Sequence, residues 1–105
     1  MSELDNLIKS NTVFVFSGTY CPFYDLAKEQ LTKMNIKFGL RNMDIEPFQD
    51  PKIEKKLDNI SGIDTIPKIF IGKQCIGGYS DMQELVKSGE FYELLDSEGI
   101  QYTKL

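Results

Sequence analysis

Val13-Phe14-Val15-Phe16-Ser17-Gly18-Thr19-Tyr20-Cys21-Pro22-Phe23-Tyr24 is the stretch that decides the architecture. Its first four residues form an unbroken β-branched and aromatic run. A strand covered on both faces reads this way, which predicts a central strand with a parallel neighbour. A polar loop follows, and Pro22 then stands in the first turn of a helix, where its missing N–H costs nothing. From Phe23 the apolar positions Leu26, Ala27, Leu31 and Met34 recur at helical spacing, with Lys28, Glu29, Thr32 and Lys33 between them. That is an amphipathic helix. A more polar strand between Phe38 and Asp44, expected nearer an edge, completes a strand–helix–strand unit. Its crossover should be right-handed and its two strands parallel.

Upstream, Leu4, Leu7 and Ile8 predict a short opening helix. Downstream, Pro47 and Pro51 bracket a loop, and Ile53, Leu57 and Ile60 mark a helix that ends near Ser61-Gly62. Its solvated face carries Lys52, Glu54, Lys55 and Lys56. Two short β-rich runs, Ile66 to Ile71 and Cys75-Ile76, flank a Gly-containing turn and predict an antiparallel hairpin that Gly77-Gly78 breaks. Asp81 followed by Glu84 has the spacing of a capping box, opening a helix through Met82, Leu85 and Val86 to Ser88-Gly89. Phe91, Leu94 and Leu95 predict one more short helix. The order βαβ, α, ββα is mixed α/β, with helices packed on a small sheet and residues 1–105 forming a single domain.

A chain of 105 residues can bury about two-thirds of its unfolded surface without a metal or disulfide staple. Its 41% hydrophobic and 27% charged residues are too apolar for disorder. A net charge of −4 argues against a nucleic-acid partner, and no apolar run is long enough to span a membrane. The chain has no histidine, so histidine bases and histidine metal ligands are excluded. Two cysteines make neither a protein-only zinc site nor a disulfide scaffold. The opening Met1 to Ser10 has no signal-peptide or transit-peptide pattern, so the expected compartment is reducing and cytoplasmic.

Cys21 ends the loop after the central strand and immediately precedes the helix that Pro22 opens. Free backbone N–H groups and the positive end of the helix dipole favour a thiolate there. The alternative reading is a small buried hydrophobe. Thr19 to Tyr24, followed by Thr65-Ile66-Pro67 and Gly77-Gly78-Tyr79-Ser80-Asp81, resembles the glutaredoxins from about Val13 to Gly99. The resemblance implies a thioredoxin-like fold, with a parallel βαβ half and an antiparallel ββα half in one small mixed sheet. It also implies a glutathione-dependent thiol–disulfide oxidoreductase with Cys21 as the catalytic sulfur. By the same resemblance, Ile66-Pro67 is the cis-proline bond facing Cys21. Thr65 and the Ile66 backbone would pair with the cysteinyl part of glutathione like an added strand. Gly78, Ser80 and Asp81 would hold its γ-glutamyl end, with Asp81 on the ammonium and Ser80 on the carboxylate. Tyr20, Phe23 and Tyr24 would form an aromatic rim lining the glutathione groove.

The pattern departs from the family at three places. Tyr24 stands where dithiol members carry the resolving cysteine, so only a monothiol route is open to Cys21. The site also keeps Pro22, unlike the Cys-Gly-Phe-Ser of typical monothiol members. Gly18, Ile63 and Asp64 replace the polar or basic groups that hold the glycine carboxylate of glutathione. Lys52, Lys55, Lys56 and Lys68 are the candidates to take over that clamp. Cys75 reads as an ordinary half-buried strand residue, with a remote resolving or dimerising thiol as the sharper alternative.

Reduction of glutathionylated protein or small-molecule disulfides by a monomer, with glutathione as cosubstrate, is the expected function. One alternative is a [2Fe–2S] carrier in which Cys21 from each of two subunits and two glutathiones bind the cluster. Another is a glutathione-binding module with little turnover. No resident metal is expected outside the cluster alternative.

Overall fold

A computed structural model describes residues 3–10, 12–45 and 49–104 of the chain. Helix α1 spans Glu3–Ser10, strand β1 Val13–Ser17, helix α2 Pro22–Lys33 and strand β2 Gly39–Asn42. Helix α3 follows at Pro51–Ser61, then strands β3 at Lys68–Ile71 and β4 at Gln74–Gly77. Helices α4, Tyr79–Ser88, and α5, Glu90–Ser97, complete the order. The loop expected around Pro47 lies outside the described residues.

The sheet has four strands in the order β2-β1-β3-β4. β1 pairs with β2 in parallel and with β3 antiparallel, and β3 pairs with β4 antiparallel. The central position of β1 follows from its sequence, since alternate side chains must both be buried. Val13 and Val15 join Ala27, Leu31, Ile69, Met82, Phe91 and Leu95 under α2, α4 and α5. Phe14 and Phe16 join Ile8, Leu57 and Phe70 on the opposite face, under α1 and α3. β2 is an edge strand, and its exposed Arg41 explains the more polar composition.

Local signals act where expected at several ends. Asp50 caps α3 by accepting a hydrogen bond from the Lys52 N–H at 2.8 Å, and Gly62 ends it in the left-handed conformation at φ 79°. Two expectations need correction. Leu26 is exposed, because α2 turns Ala27 and Leu31 inward and leaves the preceding position facing solvent. The helix expected to open at Asp81 begins at Tyr79, with Gly78 as its N-cap. Asp81 is the third helical residue, and its Oδ2 accepts the Gly78 N–H at 2.9 Å. The carboxylate reaches back to the cap, while Glu84 lies too far into the helix to do so.

Candidate active site

The parallel β1–β2 pair and the antiparallel β1–β3 pair bring three distant segments to one end of the sheet. Phe16 is registered with Lys68, so the Ser17 end of β1 meets the Pro67 end of β3. Around that junction the segments touch. A Cβ built on Gly18 lies 3.2 Å from Ile66 Cδ1, and one on Gly78 lies 3.4 Å from the Pro67 carbonyl oxygen. The Phe23 and Tyr79 rings, at the starts of α2 and α4, stand 6.5 Å apart between centroids. Gln30 and Gln83 hydrogen-bond further along the same two helices. The loop of residues 18–24, the Thr65-Ile66-Pro67 segment and the Gly77 to Asp81 turn therefore frame one groove. The Ile66–Pro67 peptide bond is cis.

Cys21 is the N-cap of α2, in extended conformation with φ −144° and ψ 101°. Its carbonyl accepts the N–H groups of Tyr24 at 3.1 Å and Asp25 at 3.2 Å, while its side chain makes no capping hydrogen bond. The sulfur thus stays beside the positive end of the helix without being committed to a cap. The residue is 8% exposed, so a narrow face of it opens to solvent. Its chain neighbours Tyr20 and Phe23 are 92% and 59% exposed, and Ile66, which approaches Gly18, is exposed as well. Tyr24 differs from the other two aromatics. It is half-buried and packs against the core under α2, and that burial pushes its phenol above the ordinary value, with the Asp25 charge adding to the shift.

The loop before Cys21 is latched by a residue that sequence inspection did not single out. Asp44, just past β2, accepts the Thr19 N–H at 3.0 Å and the Thr19 Oγ1–H at 2.6 Å. The Thr19 hydroxyl first, then its backbone N–H, holds the Asp44 carboxyl below its ordinary value. The signal was available in principle. A parallel β1–β2 pair registered Ser17 to Asn42 must place the residues after each strand side by side.

Across the groove, Asp81 Oδ2 fixes the entry to α4. Gly77 has φ 107°, and a Cβ there would overlap the Asp81 carboxylate, so this turn requires glycine on two counts. Ser80 is exposed at the start of α4 beside the free N–H groups of its first turn.

Lys68 does not serve as a clamp. It is 2% exposed, and its ammonium is held by Asp58 Oδ1 at 3.0 Å and by the carbonyl oxygens of Ile63 at 3.1 Å and Thr65 at 2.8 Å. All three ammonium protons have acceptors, which leaves none for a ligand. A cavity of about 160 Å³ beside Ile66 is lined by Glu54, Asp58 and Asp64, and of the lysines considered for the clamp only Lys68 reaches it. A larger cavity of about 750 Å³ lies between β4 and α5 and includes none of the residues framing the groove.

Cys75 is registered with Phe70 and packs with the cluster on the α1 and α3 face. Burial pushes its thiol up. β3 separates its strand from β1, which is two inter-strand steps of about 4.8 Å, whereas disulfide partners need Cα atoms within about 7 Å. The two cysteines are not placed to pair.

Comparison with known proteins agrees with this arrangement. A family model described as Glutaredoxin matches residues 13–76. The chain is 38% identical over 94 residues to Glutaredoxin-1 of Homo sapiens, covering 88% of this chain and 89% of that protein. It is 35% identical over 98 residues to Glutaredoxin-1 of Sus scrofa, covering 91% and 92%. Among solved structures, a buckwheat glutaredoxin–glutathione complex superposes with a TM-score of 0.86 at 28% identity, covering 94% of this chain and 89% of that one. With its four-stranded mixed sheet in the thioredoxin-like arrangement, the chain belongs to the glutaredoxin family of glutathione-dependent thiol–disulfide oxidoreductases.

Proposed function

We propose that this glutaredoxin reduces glutathione mixed disulfides by a monothiol route in which Cys21 is the catalytic residue. The observation that carries the reading is the placement of Cys21 at a helix start in a framed groove, with Tyr24 packed where a resolving thiol would stand and Cys75 on the other face of the sheet. In the first step the Cys21 thiolate attacks the glutathione sulfur of a mixed disulfide. That S–S bond breaks, the substrate leaves as a thiolate that takes a proton from water, and a Cys21–glutathione disulfide forms. A second glutathione thiolate then attacks the glutathione sulfur of this disulfide. Glutathione disulfide leaves, and Cys21 returns as the thiolate. One free glutathione is thus oxidised for each substrate thiol released, and the other half of the glutathione disulfide is the glutathionyl group taken from the substrate.

Glutathione fits the groove by its chemistry. The Thr65–Ile66 backbone offers edge hydrogen bonds to a cysteinyl peptide unit. The first turn of α4 offers N–H groups to the γ-glutamyl carboxylate, and Asp81 an oxygen to its ammonium. Tyr20 and Phe23 cover the apolar parts. Glutathionylated proteins in a reducing, cytoplasmic compartment are the partners this chemistry suits, acting on a monomer. The [2Fe–2S] carrier ranks second, since Pro22 stiffens the Cys21 loop and Tyr24, packed against the core under α2, crowds it.

The test is steady-state turnover of glutathionylated cysteine with glutathione by Cys21→Ser and Cys75→Ser. Cys21→Ser should be inactive and Cys75→Ser should keep more than half of the rate. Comparable losses in both would overturn the monothiol scheme.

A further inference from the structure

We infer that Lys68 is a positioning residue for glutathione, acting through the peptide plane between Thr65 and Ile66; this rests on the proposed use of the Ile66 backbone. A lysine that is 2% exposed is unusual, since a buried ammonium is tolerated only when it is paired and hydrogen-bonded. Lys68 meets that condition by folding back on the segment that precedes it. Its Nζ donates to the Thr65 carbonyl at 2.8 Å and the Ile63 carbonyl at 3.1 Å, and pairs with Asp58 Oδ1 of α3 at 3.0 Å. The first residue of β3, the end of α3 and the intervening loop are thereby joined at one nitrogen.

The geometry of the peptide unit turns this tether into an orientation. Among the described residues the cis bond is Ile66–Pro67, so the Thr65–Ile66 unit is trans. In a planar trans peptide the carbonyl and the N–H point to opposite sides. With the Thr65 carbonyl drawn to the buried ammonium, the Ile66 N–H points to the opposite side of the peptide plane, away from Lys68. That N–H is the donor a cysteinyl carbonyl of glutathione would use. The Ser61 hydroxyl holds the near end of the loop as well, donating to the Ile63 carbonyl at 3.0 Å. That contact is made two residues before Thr65 and does not reach its carbonyl, so of these two groups it is Lys68 that holds the Thr65 unit.

The experiment compares wild type with Lys68→Met, which keeps the length of the side chain and removes its donors. The readouts are KM and kcat for glutathionylated cysteine, the iodoacetamide alkylation rate of Cys21, and the shift of the Ile66 amide in a glutathione titration by NMR. Loss of one oriented hydrogen bond should raise KM by about tenfold. The alkylation rate and kcat should stay within about twofold, and the Ile66 amide should lose its saturable shift. An unchanged KM in folded Lys68→Met would overturn the inference, as would a parallel fall in alkylation, which marks general disruption. If Lys68→Met does not fold, Asp58→Asn carries the test, because it leaves Nζ on both carbonyls. KM within about threefold of wild type supports positioning through the carbonyls, and a tenfold rise overturns it. A wild-type chain without turnover would instead sink the proposed function itself.

Discussion

Gly77→Ala tests the turn that frames the far side of the groove. The backbone at this position has φ 107°, beyond the region that L-residues visit at modest cost. Forcing a Cβ into a left-handed conformation costs about 1–2 kcal/mol. The new methyl would also overlap the Asp81 carboxylate, which must leave the Gly78 N–H that it now holds at 2.9 Å. Loss of such a capping contact costs about 0.5–2 kcal/mol. Together they give a destabilisation of roughly 2–4 kcal/mol. With an unfolding entropy near 2.1 cal/mol/K per residue, a 105-residue chain loses about 4–5 °C per kcal/mol, so the melting temperature should fall by roughly 10–20 °C. Thermal denaturation followed by circular dichroism measures it. Asp81→Ala and the double variant divide the two causes: in the Asp81→Ala background, Gly77→Ala should cost only the backbone part. Glutathione binding should weaken in Gly77→Ala beyond the loss of folded protein, because the displaced carboxylate is also the expected ammonium partner. A melting temperature within 2 °C of wild type would refute both the strain and the overlap.

Three further outcomes are expected. Tyr24→Cys places a thiol three residues after Cys21 on the same side of α2, so mild oxidation should remove two thiols per chain without dimerisation; glutathionylated Cys21 as the sole product by mass spectrometry would count against that geometry. Thr19 holds the Asp44 carboxyl below its ordinary value, so the latch contributes fully at and above the unfolded-state value near 3.9 and fades only as pH falls further through the folded-state value. The Thr19 amide resonance should therefore titrate with a midpoint below about 3.9, and one at or above it would contradict the hydrogen-bonded carboxylate. Gly18→Lys puts an ammonium near Asp44, whose Oδ2 is 3.8 Å from the new Cβ, so glutathione affinity should rise by no more than about threefold; a tenfold gain would show that the lysine escapes Asp44 and serves the ligand.

The strand–loop–helix unit was legible because each residue in it has one structural solution. Val13 to Phe16 must be buried on both sides, Pro22 fits only a first turn, and Gly62 and Gly89 end helices in a conformation other residues avoid. Cys21 was legible for the same reason, since its place follows from the ends of β1 and α2. What escaped reading depends on contacts across the sheet. Asp44 is an ordinary strand-end carboxylate until parallel pairing sets it against Thr19. Lys68 looks like a free cation until β3 buries it and turns it on the preceding loop. Leu26 follows helical spacing as well as Ala27 does, and only the placement of the core tells them apart. The start of α4 was misplaced by the Asp81–Glu84 spacing, because a carboxylate can cap from the third helical position as well as from the cap itself.

The pairing of Phe14 with Phe70 has a consequence for how the protein is made. Contacts between residues so distant in sequence form late, after the intervening loop has been closed. On a ribosome adding about 5–20 residues per second, Cys21 is synthesised roughly two to nine seconds before Ile66. Through that interval the thiol has neither the groove wall opposite it nor the β1–β3 pairing that brings the wall there. The nascent chain thus carries the sulfur proposed as catalytic before the segments that frame it are in place, and depends on the redox poise around the ribosome to keep it reduced until β3 arrives.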